Sequence, residues 1–139
     1  MIQTYDPKEL KVNFAASPII GFAEGTFITI ERDEDTFSNT TGSDGETLRV
    51  RHRNKSGKIT FTLMQSSPSN DILSTAHALD ERFGRGVGPF GMVEKNGTTV
   101  VNAPNTWVQK PAAIEYGKEA SNREWTLATD KLEVFVGGL

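Results

Sequence analysis

The sequence predicts a mainly β fold: a β-sandwich or partly open barrel of two packed sheets, with one flanking α-helix at about residues 68–83. Three observations carry this. Val, Ile, Thr, Phe, Tyr and Trp together supply 44 of the 139 residues, and 13 Gly and 6 Pro add the punctuation of a turn-rich chain. Apolar and polar side chains alternate in several short runs, the period of a half-buried strand. Only one stretch carries the spacing of an amphipathic helix, and it has start and stop signals at its ends. The length argues for one domain over residues 1–139, and apolar residues at 36% fill one modest core.

The elements follow in order. Leu10, Val12 and Phe14 alternate as a first strand. After Pro18, Ile19, Ile20 and Phe22 lead past Gly21 and Gly25 to a strand over Thr26–Arg32. There Ile28 and Ile30 share one face and Phe27 and Thr29 the other, which suits a strand covered on both sides. Residues 31–55 read as a long projecting hairpin. Its first strand opens acidic (Glu31, Asp33, Glu34, Asp35) and its second ends basic (Arg49, Arg51, Arg53, Lys55). With the turn at Gly42–Gly45, Phe37 is expected opposite Val50, Ser38 opposite Arg49, and Glu34 opposite Arg53. A two-stranded ribbon of this length is marginal alone in water, so it needs its own body or a neighbouring subunit to lie against.

Lys58–Met64 alternates cleanly, with Ile59, Phe61 and Leu63 inward. The helix follows. Ser67 is placed to cap it, Pro68 suits its first position, and Asp71 complements the dipole. Ile72, Ala76, Leu79 and Phe83 form an apolar stripe that Leu73 widens, and Gly84 supplies a left-handed stop. Asn96-Gly97 signals a type I′ hairpin that sets Val93 opposite Val100 and Met92 opposite Val101. Trp107 and Val108 read as a short strand ended by Pro111. Arg123–Thr129 alternates Trp125, Leu127 and Thr129 on one face, and a segment over Leu132–Val136 closes the fold.

Composition excludes several functions. Without cysteine there is no disulfide framework, thiolate metal site or cysteine nucleophile. The net charge is −3 and evenly spread, with no basic half to hold a phosphate backbone, which disfavours specific nucleic-acid binding. The N-terminus lacks the pattern of a signal peptide, and no apolar run approaches a membrane span. The expected location is therefore cytoplasmic, or a particle assembled in a cytoplasm.

Catalytic and ligand signatures are equally sparse. Gly86-Val-Gly88-Pro-Phe-Gly91 matches G-x-G-x-x-G, but a helix precedes it and a strand follows, the reverse of the dinucleotide fingerprint, so a tight connector is expected. His52 and His77 have no third histidine and are expected at the surface. Glu31, Asp33, Glu34 and Asp35 lack the glycine and terminal glutamate of a calcium loop. No nucleophile elbow is present. The expectation is a non-enzymatic protein without a cofactor or metal. Trp107 and Trp125 leave open a stand-alone β-sandwich binding module, for instance one that stacks a sugar on an indole.

Several segments taken in order, "YDPKELKVNF", "GFAEGTFITIERDEDTF", "GKITFTLMQSSPSNDILS", "GTTV", "REWTLATD" and "VFVGG", resemble those of small tail tube proteins of contractile-tailed phages, over nearly the whole chain. The resemblance implies a tail-tube-like sandwich that assembles into six-membered rings stacked as a hollow tube. Neighbouring inner strands would join edge to edge, and DNA would pass through the lumen without specific binding. It also implies a virion location and tail sheath, baseplate and tail-terminator proteins as partners. On this reading Glu31, Asp33, Glu34, Asp35, Arg49, Arg51 and Arg53 are candidates for contacts between subunits or between stacked rings.

Overall fold

The computed structural model describes residues 2–139. A one-turn 3-10 helix at Pro7–Glu9, capped by the Asp6 carboxylate, leads into β1 (Leu10–Phe14). Then follow β2 (Ser17–Pro18), β3 (Ile28–Arg32), β4 (Phe37–Thr41), β5 (Thr47–Arg51), β6 (Gly57–Leu63) and α1 (Ser69–Phe83). The chain ends with β7 (Gly88–Glu94), β8 (Val100–Lys110), β9 (Arg123–Thr129) and β10 (Glu133–Phe135). Eight strands form one antiparallel sheet in the order β2-β1-β7-β8-β9-β6-β3, with β10 laid on the start of β8. β4 and β5 form a separate two-stranded ribbon, and the large sheet does not close into a barrel.

The mainly β class with one helix is as the sequence predicts, and the long strand β8 is what makes it a sandwich. Its first half pairs with β7 and β10, its second half with β9. Between them the register against β7 slips by one residue, from Phe90↔Ala103 to Gly88↔Thr106. The inward positions change parity at this bulge, from Val101 and Ala103 to Thr106 and Val108. Pro104, which cannot donate to a ladder, sits in the irregular stretch. The short strand expected at Trp107 is thus a continuation of the preceding hairpin arm. The Thr106 hydroxyl, fully buried, donates to the Ala103 carbonyl at 3.1 Å and so is satisfied.

Both halves of the bent sheet feed one core. Val12, Phe14, Phe90 and Met92 come from β1 and β7; Ile59, Phe61, Leu63, Trp125 and Leu127 come from β6 and β9. Ile59, Phe61 and Leu63 are inward as expected, and Val12 with Phe14 and Trp125 with Leu127 bury faces that their alternation sets together; in the β7 hairpin, where both faces carry apolar residues, Met92 is the buried one and Val93 is exposed. The register Met92↔Val101 and Val93↔Val100 is as expected, but the turn is not type I′. Neither Asn96 nor Gly97 has a positive φ, and the Gly97 N–H donates to the Glu94 carbonyl at 3.3 Å as in a type I turn. The Thr98 N–H donates to the Gly138 carbonyl, so the C-terminal residues lie against the hairpin tip, where a Cβ on Gly97 would collide with Gly138. β3 differs from expectation: Ile28 and Ile30 are half-buried, Thr29 and Glu31 exposed, so only one face is covered.

α1 is rotated from the predicted stripe. Leu73 is its fully buried apolar side chain and Ser69 is also buried, while Leu79 and Phe83 are exposed. The face turned to the body is therefore Ser69, Leu73, Ala76 and Asp80, one residue round from the apolar stripe. Polar contacts fix this rotation. The Ser69 hydroxyl accepts the Ile20 N–H at 2.9 Å, and the Ser67 hydroxyl donates to the Ile20 carbonyl at 2.6 Å. The Asp80 carboxylate accepts the Gly86 N–H at 3.4 Å. Gly84 is left-handed at φ 66°, as predicted, and its N–H caps the last turn.

Candidate functional site: the ribbon, its root and the open sheet edges

The ribbon begins with its turn. Gly45 at φ 86° follows Ser43-Asp44, the Gly45 N–H donates to the Gly42 carbonyl at 3.0 Å, and the Gly42 N–H donates to the Glu46 carbonyl at 2.7 Å. This is a three-residue loop of the type I turn plus left-handed glycine kind, in which glycine is needed at the last position. It holds one residue more than expected, so the pairs shift to Phe37↔Arg51, Ser38↔Val50, Asn39↔Arg49 and Thr40↔Leu48. The expected partnerships of Phe37 with Val50, Ser38 with Arg49 and Glu34 with Arg53 are corrected by that one-residue slip.

The slip sets the two faces. Phe37, Asn39, Arg49 and Arg51 share one, where the Arg49 guanidinium lies 4.2 Å above the Phe37 ring. Ser38, Leu48, Val50 and His52 share the other, and the His52 Nε2 is 2.9 Å from the Ser38 hydroxyl. Residues 33–51 are exposed without interruption, and β4 and β5 form a sheet apart from that of the body. Leu48 is 67% exposed. Two rows of side chains, one partly apolar, thus stand in solvent.

At the ribbon's root the chain is tied to its C-terminal strand. The Leu132 N–H donates to the Lys55 carbonyl at 2.7 Å, and the Arg32 guanidinium donates twice to the Leu132 carbonyl, at 3.0 and 2.9 Å. Glu133 sits among three cations, with Lys55 at 3.2 Å, Lys131 at 3.6 Å and Arg32 at 4.0 Å. The Lys55 hydrogen bond, helped by the charges of Lys131 and Arg32, holds the Glu133 carboxyl below its ordinary value. Arg32 and Glu133 escaped the sequence reading. Their partners lie 100 and 78 residues away, so no local pattern carries the signal.

Of the residues singled out in sequence, Glu31 pairs across to Lys58 in the β3–β6 ladder, and the Asp33 carboxylate accepts the Ser56 hydroxyl at 3.0 Å. Glu34 and Asp35 are exposed at the root. Among the described residues none of Arg49, Arg51 and Arg53 has a carboxylate within 4.0 Å, so the acidic and basic strands make no ion pair with each other. The four acids do not converge as a metal site either. Arg32, Arg51, Arg53 and Lys55, with Thr36, His52 and Asn54, line a recess of about 190 Å³ that no carboxylate enters.

Several margins of the large sheet are open, that of β10, which pairs only with β8, among them. β3 pairs only with β6, and β1 pairs with β7 while its other side meets just the two-residue β2. A groove of about 610 Å³ runs along the β1 side, lined by Leu10, Val12, Ile19, Ile20 and Phe27 among others. The remaining motifs are structural. Gly86 lies where a Cβ would strike the Ala76 carbonyl and Asp80, so the glycine run is a tight connector. Trp125 is buried, and its indole N–H donates to the Asn70 side-chain carbonyl at 2.9 Å, which closes it to sugar stacking. Trp107 is half-buried within β8.

The described residues thus form a bent, open sheet with one outer helix, unpaired edges and a detached ribbon. Solved structures agree on the fold. One is the sheath/tube terminator of an extracellular contractile injection system, PVC, in the extended state. It matches with TM-score 0.66 at 14% identity, covering 96% of this chain and 97% of that one. Another is the tube-terminating cap of the anti-feeding prophage, with TM-score 0.60 at 12% identity over 97% and 93%. In sequence, structural protein ORF10 of Pseudomonas phage KPP10 is 28% identical over 97% of this chain and 83% of that protein. Residues 17–137 match the family of the bacteriophage PhiTE tail tube protein, and the chain belongs to that family.

Proposed function

We propose that this chain, as one tube domain, assembles into six-membered rings that stack as the inner tube of a contractile phage tail and conduct DNA during ejection. The observation that carries the reading is the ribbon. Nineteen consecutive residues, 33–51, are exposed, including Phe37, Leu48 and Val50, on an arm too thin to be stable without a surface to lie on. The open edges of β1 and β3 supply a second reason, since copies arranged in a ring satisfy each other's unpaired backbone groups. Glu31, Asp33, Glu34, Asp35, Arg49, Arg51 and Arg53 would then lie at contacts between subunits or rings. The role is mechanical, with no catalytic step.

Sheath, baseplate and tail-terminator proteins are the partners such a tube requires, and assembly would take place in the host cytoplasm before incorporation in the virion. The net charge of −3 supports a wall that DNA passes without adhering. Light scattering and negative-stain images of the purified protein test the reading. Rings or rods are expected. A species that stays at the 15.2 kDa of one chain up to millimolar concentration, with no image of a ring, would overturn it.

A further inference from the structure

Charge is uneven along the ribbon: its tip is acidic, and its root carries a basic recess beside the exposed Glu34 and Asp35. From Thr36 to Leu48 the only charged side chains are Asp44 and Glu46, both exposed at the tip. The Asp44 carboxylate accepts the Glu46 N–H at 3.2 Å, a contact that holds the turn and leaves its charge unpaired. The recess at the root is the opposite: its lining includes Arg32, Arg51, Arg53 and Lys55 and no carboxylate. Glu133 takes up Lys55 from outside that lining, and Asp33 is turned to Ser56. Arg51 and Arg53 keep no anionic partner among the described residues. The tip acids and the root arginines are five to nine residues apart along the strand, about 17–30 Å, so they cannot pair within one ribbon.

We propose that the ribbon docks tip to root between copies, with Asp44 and Glu46 of one subunit seated in the arginine recess of the subunit in the next ring. The proposal rests on the tube reading above and names the partner of its basic residues. The contact is heterologous, a tip on one side and a recess on the other, and such a contact repeats without closing. It therefore gives the stack a direction and lets it lengthen. Arginine forks matched to carboxylates supply both attraction and register. An alternative occupant, the phosphates of DNA, has the same anionic chemistry and is separated by the test.

The test uses the full chain and two charge reversals, D44K/E46K at the tip and R51E/R53E at the root. Both sets are exposed, so each variant should keep the far-UV circular dichroism and melting temperature of the native subunit. Each alone juxtaposes like charges. The concentration needed for pelletable tubes should rise at least tenfold, with rings persisting. Mixed in equal amounts, the two variants present opposite charges to each other in alternate rings, and tubes should return. Normal tubes from either variant alone, or no tubes from the mixture, would overturn the docking. So would a DNA oligonucleotide that binds the native protein and D44K/E46K alike but not R51E/R53E, with tubes unaffected by the tip reversal. A native protein that forms no rings at all contradicts the tube reading itself, a different outcome from either of these.

Discussion

Leu73→Ala and Phe83→Ala separate the observed seating of the helix from the one its sequence favours. Leu73 is 0% exposed against the sheet, whereas Phe83 is 65% exposed at the end of the same helix. Truncating Leu73 removes three carbons, about 2.4 kcal/mol of transfer free energy at ~0.8 kcal/mol each. The hole left in a close-packed core raises that to about 3–4 kcal/mol. At roughly 2.1 cal/mol/K per residue, unfolding entropy for a chain of this length converts 3.5 kcal/mol into a fall of about 12 °C. Phe83→Ala deletes a larger side chain but one already in water, so its cost should stay under about 1 kcal/mol, roughly 3 °C. Thermal and urea unfolding of the dissociated subunit, followed by circular dichroism, measures both. Equal losses, or a Leu73→Ala cost below about 1 kcal/mol, would refute this seating of the helix.

Three other outcomes follow from the same contacts. Asn70→Ala removes the acceptor of the Trp125 indole and a side-chain amide that donates to the Met64, Gln65 and Ser67 carbonyls; a loss of about 1–3 kcal/mol is expected by urea titration of Trp fluorescence. Within the glycine run, Gly86→Ala forces a Cβ onto the Ala76 carbonyl and should cost about 1–3 kcal/mol, whereas Gly91→Ala points into open space and should leave the melting temperature nearly unchanged. Glu133→Gln should lower stability at neutral pH. The carboxyl's value is depressed in the folded state, so its contribution is fully present above the ordinary 4.5 and is lost as pH falls below that through the folded value. Unfolding curves of the two proteins should therefore converge in acid, and a gap that widens there would contradict the ion cluster.

Particular elements show what a sequence can and cannot reveal here. β6 and β9 were legible because strict alternation leaves one inward set, and a single slip would expose all of it; the β7–β8 register was legible from the Asn96-Gly97 turn instead. The ribbon lacked that constraint. Both its faces are wet, so nothing in its pattern opposes a one-residue slip, and Gly45 in the left-handed region settled the register instead. The helix has one apolar stripe and, one residue round from it, the mixed row Ser69, Leu73, Ala76 and Asp80 that is the one turned to the body. The choice between them depends on Ser69 reaching Ile20 and Asp80 reaching Gly86, contacts set by tertiary neighbours. The continuity of β8 through Pro104 was not legible, because a bulge absorbs the proline and flips the inward parity there. At the candidate site the basic row was visible and its setting was not. Arg32, Leu132 and Glu133 are brought to Lys55 by the path of the whole sheet.

If copies of this chain complete one another, a cryo-EM map of the assembled tube should show it. Six subunits per ring are expected, with the strands at each subunit margin continued by a neighbour and residues 33–51 covered by the adjoining ring. A map in which that arm stays in solvent, or in which each copy stands apart with its margins bare, would contradict it.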